Sequence, residues 1–386
     1  MPHRKVRLGF VQWNDPFDRK ASSGTPYKMA EALRSVGYDV IWVRARKSLS
    51  YRIYSKMAAF LNRISKAKVK PTHTFVGASL LSKSLDKTAI ESCDVLFAPF
   101  SSECLYKLDT SKPIVYLSDA TFGLMVGYYF NDLSPKAVRQ GNMVEQTAID
   151  KAAEVVVSSE WAAGSVISDY HKDPDKVHVL KFGANIDEKD IRPEIFNYNG
   201  HLDILFLGVD WVRKGGQTAV DACRWLNEHG VPATLHVVGV KNLDRKVRDL
   251  SFVDHIGFLD KNNPDDYHRL VEIIRGCHCM LHPAIAECSA IAFCECTAFG
   301  VPVFSQRTGG VGDYVIDGRN GYLLPSGASG ADFGSRIKAC LESGELERMS
   351  VTAQSVYKER LNWNVWAEEM ALIIARAMSE TDKELP

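Results

Sequence analysis

No stretch of this chain reaches the roughly 18 consecutive apolar residues that a membrane-spanning helix needs, so no spanning helix is expected. Net charge is absent too. Across 386 residues, 47 Lys and Arg balance 47 Asp and Glu, and no global field favours nucleic acid or another highly charged partner. The N-terminus, Met1-Pro2-His3-Arg4-Lys5-Val6-Arg7, lacks the apolar core and cleavage site of a signal peptide. A cytoplasmic location is expected. The nine cysteines are an odd number with no small-domain framework, which argues against a disulfide scaffold. The first apolar run continues as Gly9-Phe10-Val11-Gln12-Trp13-Asn14. It has no G-x-G-x-x-G, so a dinucleotide fingerprint is missing.

Metal-ligand clusters are scarce. Cys277-His278-Cys279, with His282 nearby, is the one group that hints at a metal. It lies in an apolar strand, where alternate residues face opposite sides, and free cysteine is often a small buried hydrophobe. These residues are taken as packing, as are Cys294 and Cys296 on either side of Glu295. No paired-aspartate motif for a divalent metal is present.

What the chain does have is alternation. Apolar runs at Val6–Val11, Val40–Val43, Val95–Ala98, Ile114–Leu117 and Val155–Val157 predict strands. Helical patterns lie between them, the first over Pro26–Val36. The polar run Asp187–His201 interrupts the pattern and is expected to be a linker. Strands resume at Ile204–Leu207, Leu235–Val238, His278–Leu281 and Pro302–Phe304, with a helix from Gly215 to His229. Such alternation predicts an α/β protein of two βα-repeat domains, each with a parallel sheet. The expected bounds are 1–186 and 187–361, followed by a C-terminal segment 362–386. In that segment Trp363, Trp366, Met370, Ile373 and Ile374 recur at helical spacing.

One stretch concentrates the chemistry. Glu287-Cys288-Ser289-Ala290-Ile291-Ala292-Phe293-Cys294-Glu295 sets two carboxylates with seven residues between them, and is followed by Gly300-Val301-Pro302 and Thr308-Gly309-Gly310. The residues after Glu287 predict a loop entering a helix. A helix N-terminus offers backbone N–H groups to phosphate, and a carboxylate two turns down can accept both hydroxyls of a ribose. Upstream, Gly208-Val209-Asp210-Trp211-Val212-Arg213-Lys214-Gly215-Gly216 follows the first strand of the second domain. Two cations at a helix start are mildly unfavourable by themselves, which points to an anion there.

Together with Ser23-Gly24-Thr25-Pro26 and the downstream Gly-Gly, these motifs resemble the retaining glycosyltransferases of family GT4. The resemblance runs from Ser23 to Trp363. It implies the GT-B architecture: two facing Rossmann-like βα-repeat domains with a cleft between them, and a C-terminal helix crossing back to the N-terminal domain. It implies transfer of a sugar from a nucleoside-diphosphate sugar to a hydroxyl with retention, in polysaccharide, glycolipid or glycoconjugate synthesis. Arg213 and Lys214 would hold the diphosphate, with backbone amides of Ser289, Ala290 and Ile291. Glu287 would stand near the donor sugar and Glu295 on the ribose. Gly24 and Thr25 would lie near the donor phosphate, or simply start a capped helix. Asp119 would touch a sugar, or cap a helix. Ile256-Gly257-Phe258-Leu259-Asp260 resembles the loop that holds the nucleobase, through Phe258 and Leu259. Many members carry Gly-Phe after the first Glu, where this chain has Cys288-Ser289, and Arg where it has Val209. No cofactor or metal is expected, because cationic side chains and helix ends replace it.

Between Asp39 and Asp86 there is no acidic residue but ten Lys or Arg. Ile53, Tyr54, Met57, Phe60, Leu61 and Ile64 share one helical face. A basic amphipathic helix of this kind suits an anionic membrane surface, through residues 44–70, and hence a peripheral enzyme with a lipid-linked acceptor. It equally suits a core-facing helix with a solvated basic face. Neither a recognised nucleic-acid module nor aromatic interleaving accompanies the charge. Two other functions fit the same motifs: a sugar phosphorylase or epimerase on this fold, and a non-catalytic nucleotide-sugar-binding protein.

Overall fold

The computed structural model describes residues 4–19, 24–193 and 196–384, with side chains through residue 379. Ser23 of the first glycine loop lies outside the described residues. The chain divides into two compact units, Met1–Leu180 with Trp366–Pro386, and Lys181–Val365.

In the first unit the described strands are β1 (Arg7–Gln12), β2 (Asp39–Arg44), β3 (Val95–Pro99), β4 (Ile114–Ser118), β5 (Glu154–Val157) and β6 (Val177–Val179). They form a parallel sheet in the order β2-β1-β3-β4-β5-β6. β3 and β4 are buried along their whole length. Parallel sheets are covered on both faces, which is why these strands are nearly continuous apolar runs rather than alternating ones.

The second unit repeats the plan with β7 (Leu202–Leu207), β8 (Ala233–Val238), β9 (Val253–Gly257), β10 (Cys279–His282), β11 (Val303–Gln306) and β12 (Gly321–Leu324). Their order is β12-β11-β10-β7-β8-β9. The chain starts in the middle at β7, moves outward to β9, then returns to the other side of β7 with β10. An open sheet of this kind binds ligands beyond its strand ends where the order reverses, here between β7 and β10. The α/β reading thus stands. β6, β9 and β12 are additional strands, and Ile256-Gly257, expected in a loop, end β9. The 187–201 run is less free than a linker. Tyr267 Oη accepts from Asp187 N at 2.9 Å and donates to Asp190 at 3.0 Å, and Phe196 and Tyr198 pack on the second unit's core.

The helix Trp363–Glu384 belongs to the first unit from Trp366 onward. Trp366, Met370, Ile373 and Ile374 are buried, and Trp366 meets the Phe97 ring edge-on at 6.1 Å. Arg376 Nε lies 3.1 Å from Glu154, a carboxylate fully buried on β5.

The helix Leu49–Ile64 decides between the two readings of the basic segment. Among its residues only Tyr51 and Ala58 are buried. Ile53, Met57, Phe60, Leu61 and Ile64 are each more than half exposed. The apolar face is therefore not core-facing. Tyr54 alone of that face is held inward, by a 2.6 Å hydrogen bond between its hydroxyl and Thr74.

Candidate active site

The loop after β7 carries Arg213 and Lys214 to the point where strand order reverses. Its turn depends on Gly215, whose φ of +73° is open to glycine and which approaches Pro283 so closely that an added Cβ would sit 2.0 Å from that carbonyl oxygen. Asp210 O accepts from Lys214 N, and the Asp210 carboxylate accepts from Arg213 N, both at 3.1 Å. Ile285 N donates to Arg213 O at 2.8 Å. The loops after β7 and β10 are thereby fastened to one another.

The loop after β10 is fixed from the β11 side. Ser305 Oγ donates to His282 O at 2.6 Å, and Gln306 Nε2 to Pro283 O and Ala284 O at 3.1 and 3.0 Å. Thr308 Oγ1 donates to Ile285 O at 3.0 Å, and Gly310 N to Glu287 O at 3.3 Å. The Thr308-Gly309-Gly310 motif thus acts as a brace for the backbone that presents Glu287.

Glu287 is 6% exposed and ion-paired with Lys214. Arg213 Nη1 lies 3.7 Å from the same carboxylate oxygen and donates to Ala286 O at 2.9 Å. Burial raises the carboxyl pKa, but the Lys214 ammonium and the adjacent His282 outweigh it and hold Glu287 at about 2. His282 is completely buried between Phe206 and Phe293. Burial, then the Lys214 charge, pushes its pKa down to about 4, so the ring is neutral at pH 7. Its Nε2 is 3.6 Å from Glu287, beyond hydrogen-bond reach, and neither ring nitrogen has a hydrogen-bond partner.

The following helix spans Ile291–Ala298, with Ala290 as N-cap and no side-chain cap. Ser289 and Ala290 precede it and Ile291 starts it, so all three surround its N-terminus. Glu295 stands one turn into this helix rather than two, because residues 288–290 extend the loop. It is 2% exposed and ion-paired with Lys261, in the turn after β9. The same turn holds Leu259 against the core and leaves Phe258 partly exposed under Lys241, whose Nζ is 4.7 Å from the ring centre. Phe258, Leu259 and Glu295 are therefore linked through Lys261.

Gly24, Thr25 and Asp119 belong to the first unit. Gly24 is left-handed at φ +85° and caps the helix Thr25–Ser35 without a side-chain bond, while Thr25 is buried. Asp119 follows β4 and is half-buried. It is not a helix cap: Thr121 caps the helix Phe122–Met125, accepting from Leu124 N at 3.3 Å.

Two site residues escaped the sequence reading. Lys261 is 34 positions from its partner, and no spacing rule connects them. His282 was noticed only as a metal candidate. Among the described residues no group of three His, Cys, Asp or Glu is placed to hold a metal. All nine cysteines are buried. His278 accepts at Nδ1 from Asp203 N (2.9 Å) and contacts Asn197 O through Nε2 (3.0 Å).

Residues 187–355 match the family model described as glycosyl transferases group 1. The D-inositol 3-phosphate glycosyltransferase of Gordonia bronchialis is 27% identical over 253 residues, covering 61% of this chain and 54% of that protein. The protein of that name in Corynebacterium efficiens is 24% identical over 296 residues, covering 71% and 68%. The chain thus spans little more than half the length of the first relative. Among solved structures, sucrose-phosphate synthase from Thermosynechococcus elongatus has a TM-score of 0.68 at 14% identity, over 97% of this chain and 100% of that one. Anabaena HepE in complex with UDP and glucose has a TM-score of 0.66 at 14% identity, over 96% and 99%. The two-unit α/β fold is the one these structures share.

Proposed function

We propose that this protein, whose residues 187–355 match the group 1 glycosyl transferase model, moves a sugar from a nucleoside-diphosphate sugar to a hydroxyl acceptor with retention at the anomeric carbon. The observation that carries the reading is the convergence of Lys214, Arg213 and Glu287 at the β7/β10 switch point, inside the matched segment. Negative charge grows on the leaving diphosphate in the transition state. A guanidinium and an ammonium fixed beside it stabilise that charge most where water is excluded. Backbone N–H groups of Ser289, Ala290 and Ile291 add to them. With this much positive potential from the protein itself, the reaction proceeds without a divalent metal. Glu287 stays ionised and faces the donor sugar, where it orients hydroxyls and offsets positive charge at the anomeric carbon. Glu295 accepts the ribose hydroxyls, and Phe258 and Leu259 border the base. Gly24 and Thr25 are assigned to the donor phosphate, and Asp119 to a sugar hydroxyl.

HepE is a structural neighbour solved with UDP and glucose, so UDP-glucose is the first donor to try. Thermal shift with UDP, GDP and ADP and their common sugars, on the wild type and Glu295→Ala, tests the reading. A ligand that binds only the folded state raises the melting temperature. A rise with one diphosphate that disappears in Glu295→Ala supports it. No rise with any of them sinks it.

The acceptor is proposed to be held at an anionic membrane reached through residues 44–70, which places the enzyme at the cytoplasmic membrane face. The support is the exposed apolar face of Leu49–Ile64 together with its basic flanks. No helix among the described residues is long and apolar enough to cross a membrane.

A further inference from the structure

We propose that His282 is a positioning residue that takes over the Glu287 carboxylate when an anionic ligand draws Lys214 away. The inference rests on the reading of Lys214 as a diphosphate contact. In the structure Lys214 spends its charge on Glu287. A diphosphate arriving at the β7/β10 strand ends competes for that ammonium. Glu287, at 6% exposure, would then lose its closest cation, with Arg213 Nη1 at 3.7 Å, and weakening the pairing of a buried carboxylate is costly.

His282 is placed to prevent this. Its Nε2 is 3.6 Å from the Glu287 oxygen that Lys214 now holds. A shift of under about 1 Å makes that a hydrogen bond. The ring lies nearly parallel to Phe206 (5.9 Å, 20°) and meets Phe293 edge-on (5.3 Å, 86°). Neither aromatic offers a conventional acceptor, and both restrict ring rotation. Buried polar groups are nearly always hydrogen-bonded, yet both nitrogens of this ring are without a bond. Its pKa of about 4 keeps it neutral beside Lys214 and Arg213, so one ring nitrogen carries a proton and can donate without adding a third cation. The exchange moves no covalent bond. Glu287 passes from the ammonium to the imidazole N–H, stays ionised, and stays aimed at the donor sugar.

The test is imidazole nitrogen NMR on protein labelled with ¹⁵N-histidine, with the His282 signals assigned by His282→Asn. Lys214→Gln removes the competing ammonium without any ligand. The expected result is an Nε2 signal shifted to the hydrogen-bonded range, with the ring holding a second proton to higher pH than in the wild type. UDP, or whichever of GDP and ADP raises the melting temperature, should produce the same Nε2 shift in the wild type. His282→Phe should weaken diphosphate binding roughly tenfold, and His282→Asn, which keeps an N–H donor, should recover much of it. Unchanged ring signals in Lys214→Gln, or in wild type saturated with a diphosphate that raises its melting temperature, would overturn the proposal. Capture of Glu287 in Lys214→Gln with no diphosphate bound in any sample would uphold the exchange and overturn the diphosphate reading instead.

Discussion

Lys261, in the turn after β9, pairs with the buried carboxylate of Glu295 on the helix after β10. The turn that brings Phe258 and Leu259 to the site is thereby tied to the residue assigned to the ribose. Glu295 lies among Phe293, Cys294, Cys296 and Ala298, all buried, and an ionised carboxylate there needs a counterion. On the proposed function, a ribose diol would meet a carboxylate already oriented by Lys261.

Lys261→Ala should therefore damage stability as well as binding. Removing one partner of a buried pair costs about 3–5 kcal/mol, because the remaining charge is left uncompensated. Urea unfolding should show a large loss for Lys261→Ala and a smaller one for Lys261→Ala/Glu295→Gln, which carries no orphan charge. Equal losses in the two would mean that the pair contributes nothing beyond packing.

Glu287 sets an acid limit. Its pKa falls from an ordinary 4.5 to about 2 in the folded protein. A depressed carboxyl contributes stability that is present above the unfolded value and is lost as pH falls through the folded one. The window is pH 4.5 down to about 2, and the contribution is about 3 kcal/mol. Glu287→Gln should flatten the fall in unfolding free energy across that window. A wild-type slope that Glu287→Gln leaves unaltered would contradict the assignment.

Glu103 and Glu145, in the first unit, work in the opposite direction. Both are buried, and burial raises each from 4.5 to about 7. Tyr116 Oη donates to Glu145 at 2.7 Å, which opposes the rise without cancelling it. An acid with a raised folded pKa contributes stability that is complete below pH 4.5 and is lost as pH rises through about 7. Each should cost the fold roughly 3 kcal/mol between those limits. Chemical denaturation at pH 5 and pH 8 should find wild type weaker at pH 8, and Glu103→Gln should shrink the difference. A Glu103→Gln variant with the full pH dependence of the wild type would count against this.

How much of this was open to a sequence reading depended on whether the signal was local. Val95–Ala98 and Ile114–Leu117 were legible as strands because burial on both faces leaves nothing polar in them. β9 was not, since Asp254 and His255 interrupt it; Asp254 pairs with His236 on the neighbouring strand at 3.0 Å. β6 and β12 are only three and four residues long. Lys214 stands out through the glycines that follow it and Glu287 through its spacing from Glu295, but the contact between them exists only because β7 and β10 are neighbours in the sheet. Lys261 and His282 carry no such local mark. The apolar face of Leu49–Ile64 was visible as a period, but a period does not say whether the face turns to the core or to solvent.

That face yields the last prediction. Leu49, Ile53, Met57, Phe60, Leu61 and Ile64 are six of the exposed large apolar side chains and lie on one helix. Monomeric proteins seldom leave so much contiguous apolar surface without a use. Among the described residues Arg52, Lys56, Arg63 and Lys66 make no ion pair, so their charge is available to a partner of opposite sign. An anionic bilayer satisfies both demands, burying the apolar face at the headgroup boundary and neutralising the cations. Each Lys or Arg near such a surface contributes about 1 kcal/mol, so Lys56→Ala/Arg63→Ala should weaken binding roughly 30-fold. Phe60→Asp should reduce it further by opposing insertion, and both variants should remain folded because these side chains support no core. Co-sedimentation with phosphatidylglycerol vesicles should capture the wild type, and phosphatidylcholine vesicles should capture far less. Raising the salt should loosen it, since screening shortens the reach of the cations. Equal binding to the two lipids would show that charge has no part in it, and no binding to either would leave the face to a protein partner and remove the membrane from the proposed reaction.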